Sequence, residues 1–509
     1  GVVYPPDISY GVYQITGAPE DNWVKTGDKL LLADKLAEGC LGKARVDGWE
    51  RIGDAPSLEG LSVAHPFAGI EGSEGEWDQP RDFRPAPFVT DEDGTVGGSD
   101  EGDAHGGSVK DGTDGGPDAG PEGPPVKAGS CEGFKNGPGI TDDTITIGNA
   151  SDISGPVPGL FESAQDATKA FVAYFNRSNP DGICGRTLVL KNYDSRTDDA
   201  ADQRNHIDAC ENVFAMVGSM SAFDSGGAAA TEQCGLPDLR SAGVTGPRQE
   251  CSTCFGTQST IAGEVNNVVA DHVLKNFPDA AQNAASLYIN AGAAAENGQL
   301  QPKAMTKRGM RFTVVRGIEV SEFNYAPYVQ QLKDEGVGYV QITGAIPQFV
   351  RLAQAMSQQG YDPDVFMIDP TAYEPGFLEQ GGKDVEGVTI YMNFTPFEEA
   401  GSNPETKLYL DWLQATKPGA TPDFFGVFSW SAARLFVETA AKLGGDLSRA
   451  SLIEAIRRTD SWTGNGMHAP QRVGPKRTGE CFRLIQVKGG RFVPLGSTKY
   501  TCSGTTTVS

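Results

Sequence analysis

A loop of small hydroxyl residues is the first stretch of this sequence whose residue types could do chemistry. The apolar run Phe214–Val217 is followed by Gly218, Ser219 and Ser221, and an alanine-rich segment then runs through Ala228. This order predicts a buried strand, a tight loop and the start of a helix. Free backbone N–H groups and hydroxyls at such a junction can hold a carboxylate or another anion. We interpret the loop as a candidate binding site, since ligands of open α/β sheets lie beyond the carboxyl ends of the strands.

The same loop continues into Asp224-Ser-Gly-Gly227, which copies part of the string around the nucleophile of trypsin-like proteases. That chemistry needs a histidine within hydrogen-bond reach, itself held by a carboxylate. The five histidines of the chain lie in no matching motif; they are His65, His105, His206, His272 and His468. An aspartate or serine at a helix start is simply a good N-terminal cap. Because Walker loops, dinucleotide fingerprints and zincin helices are also missing, we predict that the chain is not an enzyme.

Cys251 and Cys254 are spaced as in some zinc and redox motifs. Zinc would require two more ligands at regular spacing, and the sequence has none. A redox motif would open a helix after a strand, whereas Phe255 and Gly256 follow here. A structural disulfide is therefore the favoured interpretation. Nine cysteines in all indicate an oxidising compartment.

Chain order suggests how the cysteines pair. Cys184 precedes a predicted strand and Cys210 lies near the end of the helix that feeds the next strand, so both fall at one edge of a parallel sheet and are predicted to pair. The other predicted pairs are Cys481 with Cys502 across a C-terminal hairpin, Cys234 with Cys251 or Cys254, and Cys40 with Cys131. Nine is odd, so one thiol is left over.

Length and charge limit the partners. A chain of 509 residues is expected to form two or three domains. Its net charge of -25 argues against nucleic acid and anionic membranes, which need clustered Lys and Arg. No apolar run reaches the roughly 20 residues that span a membrane, so no membrane insertion is predicted. Gly1 is interpreted as a processed N-terminus.

Two compositional zones precede the main body. Residues 1–89 form an N-terminal extension with helix-like periodicity around Asp28–Glu38 and aromatic residues for a small core, namely Trp23, Trp49, Phe67 and Trp77. Residues 90–130 form an acidic linker rich in Gly and Pro, which cannot bury enough apolar surface to fold. Asp91-Glu-Asp-Gly94 and Asp100-Glu-Gly-Asp103 could bind Ca²⁺ weakly, but a solvated charge run is the favoured reading. No cofactor is predicted.

The remainder, from residue 131, alternates between strand and helix patterns. Thr144–Ile147 predicts a strand, Glu162–Asn176 an amphipathic helix and Leu188–Leu190 the next strand. This alternation predicts βαβ units in largely parallel sheets, and some 380 residues of it predict two lobes. The chain ends in a hairpin with a turn at Gly489-Gly490.

Several short motifs in this region occur in a familiar order. They resemble the leucine/isoleucine/valine-binding family of type I extracytoplasmic solute-binding proteins, over about residues 138–496. The motifs are Ile140–Gly148, Ser154-Gly-Pro156, Asp181–Arg186, Asp194, Val217-Gly218, Ser241–Pro247 and Ile485–Val493.

The resemblance implies an α/β fold with two Rossmann-like lobes joined by three hinge crossings. Lobe 1 is expected to comprise residues 131–256 and 391–480, and lobe 2 residues 257–390 and 481–500. The implied function is to capture a small molecule outside the cytoplasm, in the periplasm or at the cell surface, for the membrane subunits of an ABC importer. The alternative is an extracellular interaction or ligand-sensing module that keeps the fold without transport.

Family contacts carried over to this chain imply a carboxylate-binding side on lobe 1, formed by Ser219, Ser221, Gly243 and Thr245. Leu160 and Phe161 would line the pocket wall, and lobe 2 would contribute Asp369 and Tyr373. Lobe 2 departs from amino-acid binders: it has Asn290–Glu296 and Gly344–Ile346 where aromatic residues are common. Small residues there leave room for a bulkier ligand. The family's carboxylate for a ligand ammonium would fall near Pro370, where Asp369 and Tyr373 are the only substitutes, and an unpaired buried ammonium is costly. We therefore expect an amino-acid-like ligand that bears a carboxylate and is partly apolar, such as an apolar or aromatic acid, rather than a plain α-amino acid.

Overall fold

The computed structural model describes residues 128–508 without a gap. Before them it describes residues 2–4, 9–19, 25–34, 37, 38, 41, 46–54, 62, 63, 81–85, 121 and 126. The chain divides into two compact units, Gly1–Thr113 and Asp114–Ser509. The two calcium-binding candidates in the acidic linker, Cys40 and three of the aromatic residues expected to form an N-terminal core lie outside the described residues.

The described part of the first unit consists mainly of strands, with Ala37, Glu38 and Leu41 in helical conformation. The strands are β1 (Val2–Tyr4), β2 (Tyr10–Gly17), β3 (Lys29–Ala33), β4 (Gly48–Asp54), β5 (Ser62–Val63) and β6 (Arg81–Pro85). β2 lies between β3 and β4 and pairs antiparallel with both. The helix predicted around Asp28–Glu38 is thus wrong at β3, where Leu30 and Leu32 alternate onto one face and pack on buried Tyr13 and Ile15. Trp49 is 37% exposed, so it is not a core residue.

The second unit begins with a five-stranded parallel sheet. Its strands are β7 (Thr144–Ser151), β8 (Thr187–Asp194), β9 (Ala215–Val217), β10 (Asp238–Ala242) and β11 (Cys254–Gln258). They are ordered β11-β10-β9-β7-β8, and every neighbouring pair is parallel. β9 and β10 are buried along their whole length. β9 is apolar throughout, as expected for a central strand, whereas β10 buries the polar side chains of Asp238, Arg240 and Ser241.

A second sheet follows the short strand β12 (Glu264–Asn266). Its strands are β13 (Ala284–Ile289), β14 (Phe312–Ile318), β15 (Tyr339–Thr343), β16 (Val365–Ile368), β17 (Thr389–Met392), β18 (Cys481–Val487) and β19 (Phe492–Pro494). β13 to β17 pair in parallel, whereas β18 is antiparallel to β17 and to β19. β18 and β19 form the predicted hairpin, with Gly489 and Gly490 both at positive φ. β20 (Thr501–Cys502) pairs with β18, and β21 (Thr505–Thr507) pairs with β12.

Helices connect and cover these sheets. They are α1 (Glu162–Ser178), α2 (Asp199–Asn212), α3 (Ser225–Gln233), α4 (Gly246–Glu250), α5 (Val268–Asn276), α6 (Pro278–Ala281), α7 (Gly292–Arg308), α8 (Ala326–Asp334), α9 (Ile346–Gln358), α10 (Pro375–Gly381), α11 (Pro404–Thr416), α12 (Phe424–Leu443) and α13 (Arg449–Arg457). α12 is buried over most of its length and packs on α1 and β10. No helix in the described residues is long and apolar enough to cross a membrane.

Four disulfides cross-link the second unit. The predicted Cys481–Cys502 pair is present. Cys251 pairs with Cys254, so the structural disulfide favoured for this motif is also present. The other predicted pairs are wrong, because the structure joins Cys131 to Cys184 and Cys210 to Cys234. α2 and α3 pack side by side, so the ends of these helices bring Cys210 and Cys234 together. The segment after Cys131 lies beside the turn that holds Cys184, where Arg186 donates to Thr141 and Asn136.

Candidate ligand-binding site

A cavity of about 440 Å³ lies between the two sheets. Its wall is formed by the loops that follow the carboxyl ends of parallel strands, where α/β folds bind ligands. The first sheet contributes loop residues that include Leu160, Phe161, Met220, Ala222 and Val244. The second sheet contributes Ala291, Ala294, Gly344, Ala345 and Asp369. The volume falls within the usual range for small-molecule sites.

Most of the wall is apolar. The rings of Phe161 and Phe425 meet edge to face at 4.6 Å, and Phe424 packs on Phe425 at 4.9 Å. Six side-chain amides contribute to the polar part of the wall; they belong to Gln258, Asn266, Asn297, Gln301, Gln341 and Gln348. Within residues 128–508, the wall contains no lysine, arginine or histidine, and its carboxylates are those of Glu264 and Asp369.

Hydrogen bonds to Asp194 and a required glycine position two loops of the first sheet. Asp194, at the end of β8, accepts hydrogen bonds from the N–H groups of Ile153 and Ser154, which fixes the loop that leads to Leu160 and Phe161. Gly218 ends β9 with φ +72, and a Cβ there would lie 2.3 Å from the hydroxyl of Thr168. Glycine is therefore required at the point where the chain turns from β9 into the wall.

Only some of the residues predicted from the sequence to form the site line the cavity in the structure. Leu160, Phe161 and Asp369 line the cavity, whereas the remaining five, Ser219, Ser221, Gly243, Thr245 and Tyr373, are not among the residues of its wall. The Ser219 hydroxyl accepts from the Ala150 N–H, and the Gly243 carbonyl accepts from the Gln249 amide. Tyr373 is 2% exposed and its hydroxyl donates to Glu398. The direct ligand contacts predicted for these residues stay predictions.

The Asp152 carboxylate accepts hydrogen bonds from the hydroxyl of Ser221 and from backbone N–H groups near it. One oxygen of this carboxylate accepts from Ser221 at 3.0 Å and from the Thr197 N–H at 2.8 Å, and the other accepts from the Ala222 N–H at 2.8 Å. Thr197 holds a positive φ of 54°, an uncommon conformation for a β-branched residue. Burial raises the pKa of Asp152 to about 6, although these hydrogen bonds favour its charged form.

Asp224 likewise accepts hydrogen bonds from the loop that follows β10. Its carboxylate accepts from the N–H groups of Val244 at 3.0 Å and Thr245 at 3.2 Å, and also from the Thr245 hydroxyl. The side chain is fully buried, and burial raises its pKa although Arg240 and Arg248 oppose the shift. Two of the residues that the resemblance assigned to a ligand carboxylate, Ser221 and Thr245, are thus bonded to carboxylates of the chain itself.

Behind these loops lies a buried ionic network that sequence reasoning missed. Arg248 bonds Asp202 at 2.9 Å and Asp238 at 3.0 Å, while Arg240 bonds Asp238 at 3.0 Å and lies 3.5 Å from Asp224. All five side chains have no exposed surface. The Arg248 Nε also donates to the Asp224 carbonyl, so the network supports the cavity loops from behind.

Loops of the two sheets are also joined directly beside the cavity. The Ala293 N–H donates to the Ala222 carbonyl at 3.1 Å, the Gly246 N–H to Glu296 at 3.2 Å, and the Asn297 amide to the Val244 carbonyl at 3.4 Å. Gly292 has φ +48, and a Cβ there would lie 2.6 Å from the Ala222 carbonyl oxygen. The segment Asn290–Glu296, which lacks the aromatic residue common in amino-acid binders, is therefore where the two sheets approach closely.

The raised pKa values of Glu374 and Asp423 predict a pH dependence of stability. Burial raises the pKa of Glu374 to about 7, with Asp423 and Glu379 adding repulsion, and burial raises that of Asp423 to about 6. A carboxyl whose pKa is raised by folding stabilises the protein at low pH and loses that contribution as pH rises. As the pH rises from about 4.5 to 7, the wild type should therefore lose thermal stability relative to Glu374→Gln.

Melting temperatures of both proteins from pH 4 to pH 8 test this expectation. Glu211→Gln, at an exposed carboxylate, is the control and should follow the wild type. Parallel curves for the wild type and Glu374→Gln would contradict it.

Comparison with known proteins places this geometry in a family. A family model described as "Periplasmic binding protein" matches residues 144–491. A fatty acid ABC transporter substrate-binding protein from Thermomonospora curvata is 20% identical, with a TM-score of 0.61, covering 72% of this chain and 96% of that protein. A solute-binding protein from Rhodopseudomonas palustris in complex with 4-hydroxybenzoate is 18% identical, with a TM-score of 0.59 and coverages of 71% and 98%. LivJ from Streptococcus pneumoniae in complex with isoleucine is 13% identical, with a TM-score of 0.59 and coverages of 71% and 100%.

A shorter stretch is similar to a different kind of protein. Over 96 residues, the chain is 51% identical to the isoleucine--tRNA ligase of Ruegeria pomeroyi and 42% identical to that of Bradyrhizobium diazoefficiens. The stretch makes up 18% of this chain, and the chain spans about a tenth of the length of these curated relatives. The family match, by contrast, covers most of the chain and fits the two-sheet architecture. The chain therefore belongs to the type I periplasmic binding proteins, the family that its sequence motifs resemble.

Proposed function

We propose that this chain is the solute-binding component of an ABC importer and that it captures a small, mainly apolar molecule outside the cytoplasm. The observation that carries the proposal is the cavity of about 440 Å³, which loops of both sheets enclose. Its family consists of substrate-binding proteins of this kind rather than enzymes. The partners would be the solute and the membrane subunits of the importer.

The chemistry of the wall supports an apolar solute. Phe161, Phe223, Phe424, Phe425 and Phe482 surround the cavity, and burying apolar surface against them contributes about 25 cal/mol per Å². The bound or named solutes of three structural relatives, a fatty acid, 4-hydroxybenzoate and isoleucine, each combine an apolar body with a polar end. The amide side chains of the wall could bind such a polar end.

Closure of the two lobes would complete the site. The expected lobes, residues 131–256 with 391–480 and residues 257–390 with 481–500, each contribute wall residues. A solute that touches both lobes stabilises only the closed form and so shifts the population toward it. The hydrogen bonds from Ala293 to Ala222 and from Gly246 to Glu296 join the two sheets, so they would be broken when the lobes open.

We infer that the stretch similar to isoleucine--tRNA ligase lies within residues 1–143. Residues 144–491 are covered by the periplasmic family, and the 18 residues after them are too few for a match of 96. The N-terminal extension, in which the sequence shows no familiar motif, would then be related to a small part of that ligase.

A thermal-shift screen of the full chain tests the proposed function. The screen should include fatty acids, aromatic acids, branched-chain amino acids and apolar amines. A true solute at 100 times its dissociation constant adds about 2.7 kcal/mol to the free energy of unfolding. Uptake of that solute by vesicles that hold the importer subunits should depend on this chain. Binding without uptake would favour the sensing module, and a screen without any binder would contradict both.

A further inference from the structure

The polar contacts of the cavity point to a ligand class that differs from the one expected from the sequence. We propose that the site binds an apolar amine through Asp369 and that this ligand carries no carboxylate. The proposal rests on the proposed function, since it names the solute that the cavity would capture. Two observations lead to it, and the second identifies the carboxylate concerned.

The first observation is that two carboxylates of the chain itself accept hydrogen bonds from the loops expected to bind a ligand carboxylate. Asp152 accepts from Ser221, Ala222 and Thr197, and Asp224 accepts from the Val244 and Thr245 N–H groups. A ligand carboxylate at these loops would find its donors already bonded. It would also lie close to the Asp152 carboxylate, which has no ion-pair partner in the described residues, whereas the charge of Asp224 is offset by Arg240.

The second observation is the charge of the wall. In the continuously described residues 128–508, no cationic side chain faces the cavity. Glu264 is already neutralised by Arg477, whose Nε lies 2.9 Å from it, and it also accepts from the Thr478 N–H at 2.9 Å. An anionic solute would therefore find no cation in the wall, whereas a cationic solute would find one carboxylate without a cationic partner.

That carboxylate is Asp369, which directly follows β16. It caps the short turn Pro370–Ala372 by accepting from the Thr371 N–H at 2.9 Å, and within the described chain it has no ion-pair partner. It is only partly buried, and it lies on the cavity wall with Tyr391 and Gln301. A protonated amine would supply the missing cation, and a hydrogen bond between two charged groups is about twice as strong as a neutral one.

Three probes with one apolar body separate the ligand classes: 2-phenylethylamine, 3-phenylpropanoate and phenylalanine. Calorimetry on the full chain should show the amine binding at least tenfold more tightly than the acid. Asp369→Asn should weaken amine binding by about 10- to 150-fold, as expected for a hydrogen bond to a charged group. Asp364→Asn, at an exposed carboxylate just before β16, should leave the affinity unchanged.

A second variant tests the carboxylate-binding positions. Asp152→Ala frees the donors of Ser221, Ala222 and Thr197, so affinity for 3-phenylpropanoate should rise relative to the amine. Asp152→Asn, which can still accept one of these hydrogen bonds, should show a smaller change in the same direction if the alanine variant fails to fold.

The outcomes separate this inference from the proposed function. Tighter binding of 3-phenylpropanoate or phenylalanine than of the amine would overturn the inference and leave the solute-binding function supported. Equal amine affinity for the wild type and Asp369→Asn would also overturn it. Failure of all three probes to bind would overturn it too, and the thermal-shift screen would then decide on the function independently.

Discussion

Arg248→Met should lower the free energy of unfolding by about 3–5 kcal/mol, the usual cost of removing one partner from a buried ion pair. The substitution leaves the carboxylates of Asp202 and Asp238 buried with one cation fewer. It also removes hydrogen bonds to the Thr231 hydroxyl and the Asp224 carbonyl. Urea denaturation of the variant and the wild type measures the difference.

Arg458→Met is the matched control for this substitution. Its side chain is 75% exposed and, among the described residues, pairs only with Glu454 one turn earlier, so the expected change is within about 0.5 kcal/mol. A loss of less than about 1 kcal/mol for Arg248→Met would show that the buried network does not hold the loops in place.

Ala294→Phe should abolish solute binding while the protein stays folded. Ala294 lies in the first turn of α7 and lines the cavity, so a phenyl ring there would occupy the space of the solute. We expect the affinity for the best solute of the screen to fall at least about 100-fold, equivalent to about 2.7 kcal/mol. Calorimetry measures the affinity, and circular dichroism shows whether the fold is intact.

Ala295→Phe provides the comparison, since Ala295 is the next residue on the same helix and is not part of the cavity wall. It should bind the solute as the wild type does. If Ala294→Phe bound the solute as tightly as the wild type, the solute would have to bind elsewhere on the protein.

The fold of the second unit follows from local sequence patterns. Runs such as Val365–Ile368 are apolar throughout and buried throughout, so periodicity identifies them as central strands. The hairpin turn at Gly489 and Gly490 is equally readable, because both residues adopt the positive φ that glycine favours. The helix prediction fails at β3 because the four apolar residues 30–33 carry no decisive period, and the pairing with β2 determines their structure.

The site is less predictable because its decisive contacts join distant parts of the chain. Asp152 and Ser221 are 69 positions apart, and only the parallel register of β7 and β9 brings them together. Asp224 reaches Thr245 across 21 residues, and nothing in the local sequence marks it as more than a helix cap. The Cys210–Cys234 disulfide depends in the same way on how α2 packs against α3.

Hydrogen exchange at the amides of Ala293 and Gly246 tests most directly whether the two sheets close around a solute. These N–H groups donate from one sheet's loops to the other's, beside the cavity, to Ala222 and Glu296, so they are protected only when the sheets are together. With a solute at 100 times its dissociation constant, exchange at both should slow by up to about 100-fold. The Ser241 amide, which bonds Ser219 within the first sheet, should change much less. Unchanged exchange at Ala293 and Gly246, with binding confirmed by calorimetry, would contradict closure.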